Sequence, residues 1–336
     1  ARFALMASGY ALRPQAGKVG TNDSGQVRLS TDPQMTKKAL YPRALKHLSQ
    51  VISDQKMTLA PDYKEYWRKF NNGELAWSPT EESVLVIPYN SNGRWAYTHA
   101  VRINDNSTVN GYNVKHVPYT GPAPTLYFDF DPLDKRRNVT CFNCVADGTK
   151  AKAVDVSTWY YGKFRIDQMT TYPWTGTNTD TVKPLAMRYS DVLLMAAEIA
   201  NELEMFSDAK EYLRPVRERA FDATSTDAYL ATLTNKAQFF DAIVNERAFE
   251  FCGEQIRKTD LIRWGKLKEM MDEAKRKMYS LRDRKDEYSW IPETVYWKVN
   301  PEDTWEVLFY GYSPGEKGTN HYVYLPQRKK SHHHQS

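Results

Sequence analysis

The stretch that decides the fold of this chain is Asn245–Gly265, which reads Asn-Glu-Arg-Ala-Phe-Glu-Phe-Cys-Gly-Glu-Gln-Ile-Arg-Lys-Thr-Asp-Leu-Ile-Arg-Trp-Gly. At about 100° per residue, four apolar side chains in or just before it share one helical stripe: Phe240, Ile243, Val244 and Phe251. Arg247 falls in the middle of that stripe, and Glu250 lies at its edge. Because an unpaired buried charge costs several kcal/mol, the guanidinium must find a carboxylate. The acids close enough in sequence are Glu246, Glu250, Glu254 and Asp260.

The charges of this stretch allow two interpretations. Paired carboxylates held about 5–9 Å apart can hydrolyse glycosides. Each carboxylate here has an arginine close in sequence, however, and that neighbour would make it a poor general acid. We therefore predict a structural ion-pair network and no catalytic residue. The predicted members of the network are Glu246, Arg247, Glu250, Asp260 and Arg263.

Composition indicates a globular protein of 336 residues, enough for about two domains. Its 46 basic and 41 acidic residues leave a net charge of +5, which is too balanced to indicate nucleic-acid binding. The 13 Phe, 22 Tyr and 9 Trp form an unusual excess of aromatic side chains. Since Tyr and Trp combine an apolar face with a polar group, they suit wet binding surfaces as well as cores.

Cys141-Phe-Asn-Cys144 could form a redox pair, a tight disulfide or half of a zinc site. A zinc site needs a second ligand pair at similar spacing, and the sequence has none. The sequence also lacks a His-Glu-x-x-His motif, a Gly-x-Ser-x-Gly nucleophile elbow and a P-loop. We therefore expect no metal and no cofactor. His99 and His116 lie among turn residues, where we expect solvated loops.

The pattern of apolar residues divides the chain into five segments. Apolar residues recur at tetratricopeptide spacing near Phe3 and near Leu193, and short β-like runs alternate with Gly, Pro, Asn and Asp clusters between them. The predicted segments are a tetratricopeptide-like helix pair with an inserted loop (1–52), an irregular, loop-rich ligand-binding region (53–185), tetratricopeptide-like helices (186–278), an irregular C-terminal region (279–330) and a tail or tag remnant (331–336). The predicted fold class is mostly α, with tetratricopeptide-like helix pairs (an α-solenoid scaffold) packed with a large irregular, loop-rich region with short strands.

The sequence holds no run of about 18 apolar residues, so we predict no membrane-spanning helix. The chain starts without methionine and within an apolar helical pattern. We therefore expect an N-terminal part to precede it in the full-length protein, and a signal segment and part of the fold are the candidates for that part.

Three motifs resemble those of the SusD/RagB family. Arg188–Glu198, which reads Arg-Tyr-Ser-Asp-Val-Leu-Leu-Met-Ala-Ala-Glu, resembles the signature helix of that family. Tyr322–Gln327 resembles a loose version of its C-terminal Pro-Gln strand. A later element of the family reads E-R-x-x-E … R-x-x-D-L-x-R-W-G. The residues of this chain that resemble it are Glu246-Arg247, Glu250, Glu254, Arg257, Asp260-Leu261 and Arg263-Trp264-Gly265.

This resemblance implies a surface-exposed outer-membrane lipoprotein of the Bacteroidetes, held by an N-terminal lipid anchor that is absent from this chain. Members of the family are not enzymes. They capture oligosaccharides, or in some cases peptides, and deliver these nutrients to a SusC-like TonB-dependent transporter. We therefore expect such a transporter and such a ligand as the partners of this protein, and no nucleic acid.

The irregular region has the composition of a sugar-binding site. Aromatic rings pack on the C–H faces of sugars, while amide and guanidinium groups bind hydroxyls. For any single aromatic residue, burial in a cluster that stabilises the fold is an equal alternative. The predicted ligand-binding residues are Tyr89, Asn92, Arg94, Trp95, Tyr97 and Tyr112.

Two other functions remain open from the sequence. One is an intracellular tetratricopeptide-type scaffold that binds peptide segments. The other is a glycoside hydrolase that uses a carboxylate pair. A signal segment ending in a lone cysteine in the full-length gene would favour the lipoprotein, and hydrolysis products from a polysaccharide would favour the hydrolase.

Overall fold

The computed structural model describes residues 1–15, 25–74, 82–87, 94–109, 111–169, 182–292, 294–310 and 322–324. The chain divides into two compact units. The first, called here the helical unit, comprises residues 1–89, 133–137 and 183–276. The second, called here the β-rich unit, comprises residues 90–132, 138–182 and 277–336.

Helices outweigh strands in the described residues, and the mostly α fold class predicted from the sequence is confirmed. Three 3₁₀ helices are short: Pro33–Met35, Ile166–Gln168 and Asp286–Tyr288. The α-helices are α1 (Arg2–Ser8), α2 (Lys37–Ser53), α3 (Tyr63–Asn71), α4 (Trp95–His99), α5 (Pro124–Asp129), α6 (Arg137–Thr140), α7 (Tyr189–Glu202), α8 (Phe206–Ala220), α9 (Ala223–Thr232), α10 (Lys236–Glu250), α11 (Arg257–Arg263) and α12 (Leu267–Asp283).

The strands are short. In chain order they are β1 (Ala11–Arg13), β2 (Gln26–Arg28), β3 (Ser83–Val86), β4 (Ile103–Val109), β5 (Tyr112–His116), β6 (Cys141–Phe142), β7 (Cys144–Asp147), β8 (Lys150–Ala153), β9 (Tyr160–Tyr161), β10 (Leu185–Arg188), β11 (Thr294–Val299), β12 (Val307–Tyr310) and β13 (Tyr322–Tyr324). In the helical unit β1 pairs with β2, and β3 pairs with β10, both antiparallel. The β-rich unit has a sheet of order β5-β4-β7-β8, a sheet of order β12-β11-β13, and the pair β6-β9. Its strands are antiparallel except for β4 and β7, which are parallel.

The centre of the helical unit is α7, which packs against α2, α8 and α10. Its apolar stripe lies in the main core of the unit. The opposite side of α7 is buried too, because Asp191 and Glu198 lie in ion pairs rather than in solvent. The neighbouring helices α1 and α2 pack together, as do α7 and α8. Such pairs are the unit from which tetratricopeptide-like solenoids are built.

A small apolar core in the β-rich unit contains Val101, Phe142, Cys144 and Ala151. Cys141 and Cys144 are buried and form no disulfide. Burial raises the pKa of the Cys144 thiol, so this side chain stays protonated at neutral pH. Among the described residues, no group of three or more His, Cys, Asp or Glu side chains could hold a metal ion.

None of the described helices combines the length and the apolar composition needed to cross a bilayer.

Candidate functional site

Arg247 lies in a buried ion-pair network in the helical unit. Its Nε donates to Asp260 Oδ2 at 2.7 Å, and its Nη1 donates to Asp191 Oδ1 at 2.7 Å. Arg2 pairs with the other carboxylate oxygen of Asp191. Arg247 of α10 therefore connects α11 through Asp260 and α7 through Asp191, and Asp191 extends the link to Arg2 of α1.

Asp260 and Glu198 extend this network to the Arg-Trp-Gly end of the motif. Arg263 donates through Nε to Asp260 Oδ1 at 2.8 Å and through Nη2 to Glu198 Oε2 at 2.7 Å. The Trp264 indole N–H donates to Glu198 Oε1 at 2.9 Å. Gly265 follows α11 with a φ of +72°, a conformation that favours glycine. We call this set the Arg247 network, and its members are Arg2, Asp191, Glu198, Arg247, Asp260 and Arg263.

Glu250 is the centre of a second buried network, on another face of α10. Its carboxylate accepts hydrogen bonds from three arginines: Arg136 at 3.0 Å, Arg188 at 2.7 Å, and Arg219. Glu82, which directly precedes β3, bridges Arg188 and Arg219. We call this set the Glu250 network, and its members are Glu82, Asp134, Arg136, Arg188, Arg217, Arg219, Glu246, Glu250 and Glu254.

The five charges predicted from the sequence therefore divide between two networks. Glu246 and Glu250 belong to the Glu250 network, whereas Arg247, Asp260 and Arg263 belong to the Arg247 network. Glu246 and Arg247 are adjacent on α10 and therefore point about 100° away from each other, which separates Glu246 from the Arg247 network. The structural role of these charges stays a prediction.

The electrostatics of the Arg247 network oppose acid catalysis. Burial alone would raise the pKa of Asp191, but Arg247 and Arg2 outweigh that effect and hold this pKa below its usual value. Asp191 therefore remains ionised at neutral pH. A general acid must instead keep its proton until the reaction needs it.

Arg247→Ala should lower the free energy of unfolding by about 3–5 kcal/mol, because it removes one partner from the buried carboxylates of Asp191 and Asp260. Urea denaturation followed by tryptophan fluorescence measures the loss. Arg214→Ala is the matched control, because Arg214 forms its ion pairs at the exposed surface of α8, where such pairs contribute at most about 1 kcal/mol. Full stability of the Arg247 variant together with lost ligand binding would assign Arg247 to a binding site instead.

The predicted sugar-binding residues of the β-rich unit centre on α4. The ring of Trp95 lies edge-on against Phe164 with their centres 4.4 Å apart, and it lies 4.6 Å from the ring of His99. The Arg94 guanidinium lies 5.6 Å from the centre of the Tyr97 ring, within the range of a cation–π contact. Phe164 and His99 are buried, while Arg94 is exposed and Trp95 and Tyr97 are partly exposed. Buried rings thus support an aromatic and cationic group that reaches solvent.

Three of the six predicted residues therefore lie together on or beside α4. Tyr112 is 49% exposed but begins β5. It lies about 13 Å along that strand from His116, whose ring centre is 5.8 Å from that of Tyr97. Tyr89 and Asn92 lie outside the described residues. Ligand binding by these residues stays a prediction.

Tyr119 lies in a segment next to α4, although its sequence context did not mark it as a site residue. Its backbone N–H donates to Thr98 O at 2.9 Å, and that of Val117 donates to Tyr97 O at 3.0 Å, so this segment lies along α4. The side chain of Tyr119 is 75% exposed. Its one sequence signal is a tyrosine set between Pro118 and a Thr-Gly-Pro turn. We call the set Arg94, Trp95, Tyr97 and Tyr119 the α4 surface.

The expectation of solvated loops for His99 and His116 is wrong. His99 is buried at the end of α4, where its Nδ1 lies 3.1 Å from Thr120 Oγ1. His116 ends β5 and is completely buried. Burial lowers the pKa of His116 to about 4, against a smaller opposing effect of the Ala96 backbone. Strand pairing and packing bury these rings, and the local turn composition does not reveal either effect.

Helix pairs packed around α7, interrupted in sequence by a β-rich unit, define a tetratricopeptide-like scaffold protein. A family model described as the SusD family matches residues 132–326, which is more than half of the chain. The chain therefore belongs to the SusD family, and the family expected from the motifs is confirmed.

Individual relatives agree with this assignment. The chain is 42% identical over 96 residues to SusD-like protein P25 of Formosa agariphila, a match covering 29% of this chain and 18% of that protein. A crystal structure of a SusD homolog from Bacteroides thetaiotaomicron has a TM-score of 0.65 at 22% identity and covers 76% of this chain and 53% of its own. Surface glycan-binding protein A from Bacteroides uniformis has a TM-score of 0.50 at 21% identity, and the match covers 68% of this chain and 46% of that protein. At these identities the two structures show a shared fold. This chain spans about half the length of each.

The neutral state of His116 predicts that acid weakens the fold. The unfolded chain binds a proton near the ordinary pKa of 6.5, whereas folded His116 binds one only near 4. Stability is therefore lost as the pH falls from 6.5 to 4, by up to about 3 kcal/mol. His116→Phe keeps an aromatic ring beside Tyr97 and removes the titration, so this variant should lose less stability over that range.

Urea denaturation at several pH values between about 7 and 4.5 tests this expectation. His47→Phe, at an exposed position on α2, is the control and should follow the wild-type protein. An equal loss of stability on acidification in the wild-type protein and in His116→Phe would contradict the prediction.

Proposed function

We propose that this protein binds glycans at the cell surface, captures oligosaccharides and delivers them to a SusC-like TonB-dependent transporter of the outer membrane. Membership of the SusD family supports the proposal. So does the likeness in fold to a structure named as a surface glycan-binding protein. An N-terminal lipid anchor in the full-length protein belongs to the same proposal.

The observation that carries the proposal is the α4 surface. Trp95, Tyr97 and Tyr119 offer aromatic faces of the kind on which the C–H faces of a pyranose ring can pack. Arg94 offers guanidinium N–H groups to sugar hydroxyls. All four residues lie on or beside the single short helix α4. Tyr119 and Arg94 are exposed, and Trp95 and Tyr97 are partly exposed.

Support from buried side chains makes this surface suitable for binding. Phe164 and His99 contact Trp95 from the protein interior, and the backbone of Tyr97 accepts a hydrogen bond from Val117. Groups that are already held lose little conformational entropy when a ligand binds. The affinity for a single oligosaccharide should still be modest, because each sugar hydroxyl must lose water.

The rival hydrolase needs a carboxyl group with a raised pKa beside an ionised partner. The carboxylates of the two buried networks instead accept hydrogen bonds from arginines, and Asp191 has a lowered pKa. We therefore propose binding without catalysis. The second rival, an intracellular peptide-binding scaffold, shares the helix pairs but gives no role to an exposed aromatic and cationic surface on α4.

A glycan and peptide array with the purified protein tests the ligand class. The proposal expects bound oligosaccharides and few or no bound peptides. Binding confined to peptides would show that the ligand is a peptide and not a glycan. Hydrolysis products after overnight incubation with a bound polysaccharide would show that the protein is a glycoside hydrolase.

Trp95→Ala should weaken binding of the tightest array oligosaccharide by about tenfold, because loss of a stacking ring removes about 1 kcal/mol or more. Isothermal titration calorimetry measures the dissociation constant, and circular dichroism checks that the fold is kept. Tyr279→Ala is the control, since Tyr279 is a half-exposed aromatic residue of α12. The control should bind like the wild-type protein. Unchanged affinity in the Trp95 variant would remove Trp95 from the site.

A further inference from the structure

A second exposed tryptophan in the β-rich unit ends a continuous run of aromatic rings. The run begins with Trp159, which stacks on Tyr127 with ring centres 4.4 Å apart and an angle of 23° between the planes. Tyr127 meets Phe128 at 5.3 Å, and Phe128 meets Trp290 edge-on at 5.9 Å. All four rings belong to the same unit.

Exposure increases along this run. Trp159 and Tyr127 are buried, Phe128 is partly buried, and Trp290 is 44% exposed. The backbone on either side of Trp290 is fixed, because the neighbouring Tyr288 and Ile291 side chains are buried. The Ile291 N–H also donates to Tyr288 O at 3.2 Å. The indole is therefore held in place while much of its surface remains in water.

A charged pair is hydrogen-bonded to the same aromatic cluster. Asp129, the residue after Phe128, accepts hydrogen bonds through Oδ1 from Lys277 Nζ at 2.9 Å and from Tyr288 Oη at 3.0 Å. The Tyr288 ring in turn lies 6.2 Å from that of Phe128. The side chains of Asp129 and Lys277 are each about one quarter exposed. A carboxylate and an ammonium group on such a cluster supply the acceptors and donors that sugar hydroxyls need.

A lone exposed aromatic side chain on a protein surface requires no explanation. Trp290 differs in having a ring behind it, an anchored backbone, and a partly exposed charged pair attached to the same aromatic cluster. A ligand that covers the exposed indole of Trp290 would therefore pack on a ring whose neighbours are already in place.

We propose that Trp290 is a second carbohydrate subsite that stacks on the C–H face of a pyranose ring, and that the Asp129–Lys277 pair of the same aromatic cluster supplies hydrogen-bonding groups. The proposal rests on the glycan-binding function proposed above and adds a position that does not belong to the α4 surface. A long glycan that occupies both subsites gains avidity without any tighter single contact.

Affinity electrophoresis of the full chain tests the subsite. Native gels containing soluble starch, laminarin, xylan or alginate first identify a polysaccharide that retards the wild-type protein. In that polysaccharide, Trp290→Ala and Trp290→Leu should raise the apparent dissociation constant by about tenfold, the effect expected for a lost stacking ring. Trp290→Phe should stay within about threefold of the wild-type value, because a phenyl ring still stacks. Tyr279→Ala should be unchanged.

The outcomes separate the two proposals. If wild-type protein is retarded and Trp290→Ala is retarded equally, the subsite is wrong and the glycan-binding function stands. If none of the glycans on the array or in the gels binds the wild-type protein, the glycan-binding function fails and the subsite fails with it. If Trp290→Phe binds as weakly as Trp290→Leu while melting at the wild-type temperature, stacking is not the role of Trp290.

Discussion

Three remote segments of the helical unit meet at one carboxylate, Glu250, which accepts hydrogen bonds from three buried guanidinium groups. Taking these charges out of water costs several kcal/mol per ion, and only close pairing with complete hydrogen bonding offsets that cost. The arginines come from residues 133–137, from the junction of β10 with α7, and from α8. Arg247, three residues earlier on the same helix, pairs with carboxylates of α7 and α11, and Asp191 of α7 also pairs with Arg2 of α1. Removal of one charged partner from either network would therefore leave the opposite charge buried and unpaired, which apolar packing cannot compensate.

The glycan binding proposed for the β-rich unit rests on a different principle. The Trp95 ring is supported by Phe164, and the Trp290 ring by Phe128. In both places a less exposed ring packs against an aromatic side chain that reaches solvent, so stacking would require little ordering. Two subsites of modest affinity would suit the proposed function, which is to capture a glycan and then release it. Avidity would retain a long ligand, while each separate contact could break quickly.

The sequence predicts the helices because their apolar residues recur at regular spacing, as in α7 and α10. It also supplies one partner of Arg247, since Asp260 lies only 13 residues away. The other partner, Asp191, lies 56 residues away, and the three arginines of Glu250 come from remote segments, so no local pattern could pair them. The same holds in the β-rich unit. Burial of His116 depends on strand pairing, and the position of Tyr119 depends on its hydrogen bond to α4.

We propose that the charges of α10 and α11 hold the fold, while aromatic side chains of the β-rich unit bind the ligand. Hydrogen–deuterium exchange of the full chain, with and without the tightest oligosaccharide found on the array, distinguishes these two roles. We expect slower amide exchange in residues 94–99 and 117–119 when the ligand is bound, with no change in residues 246–263. Protection of residues 246–263 alone would show instead that the buried charges form the ligand site.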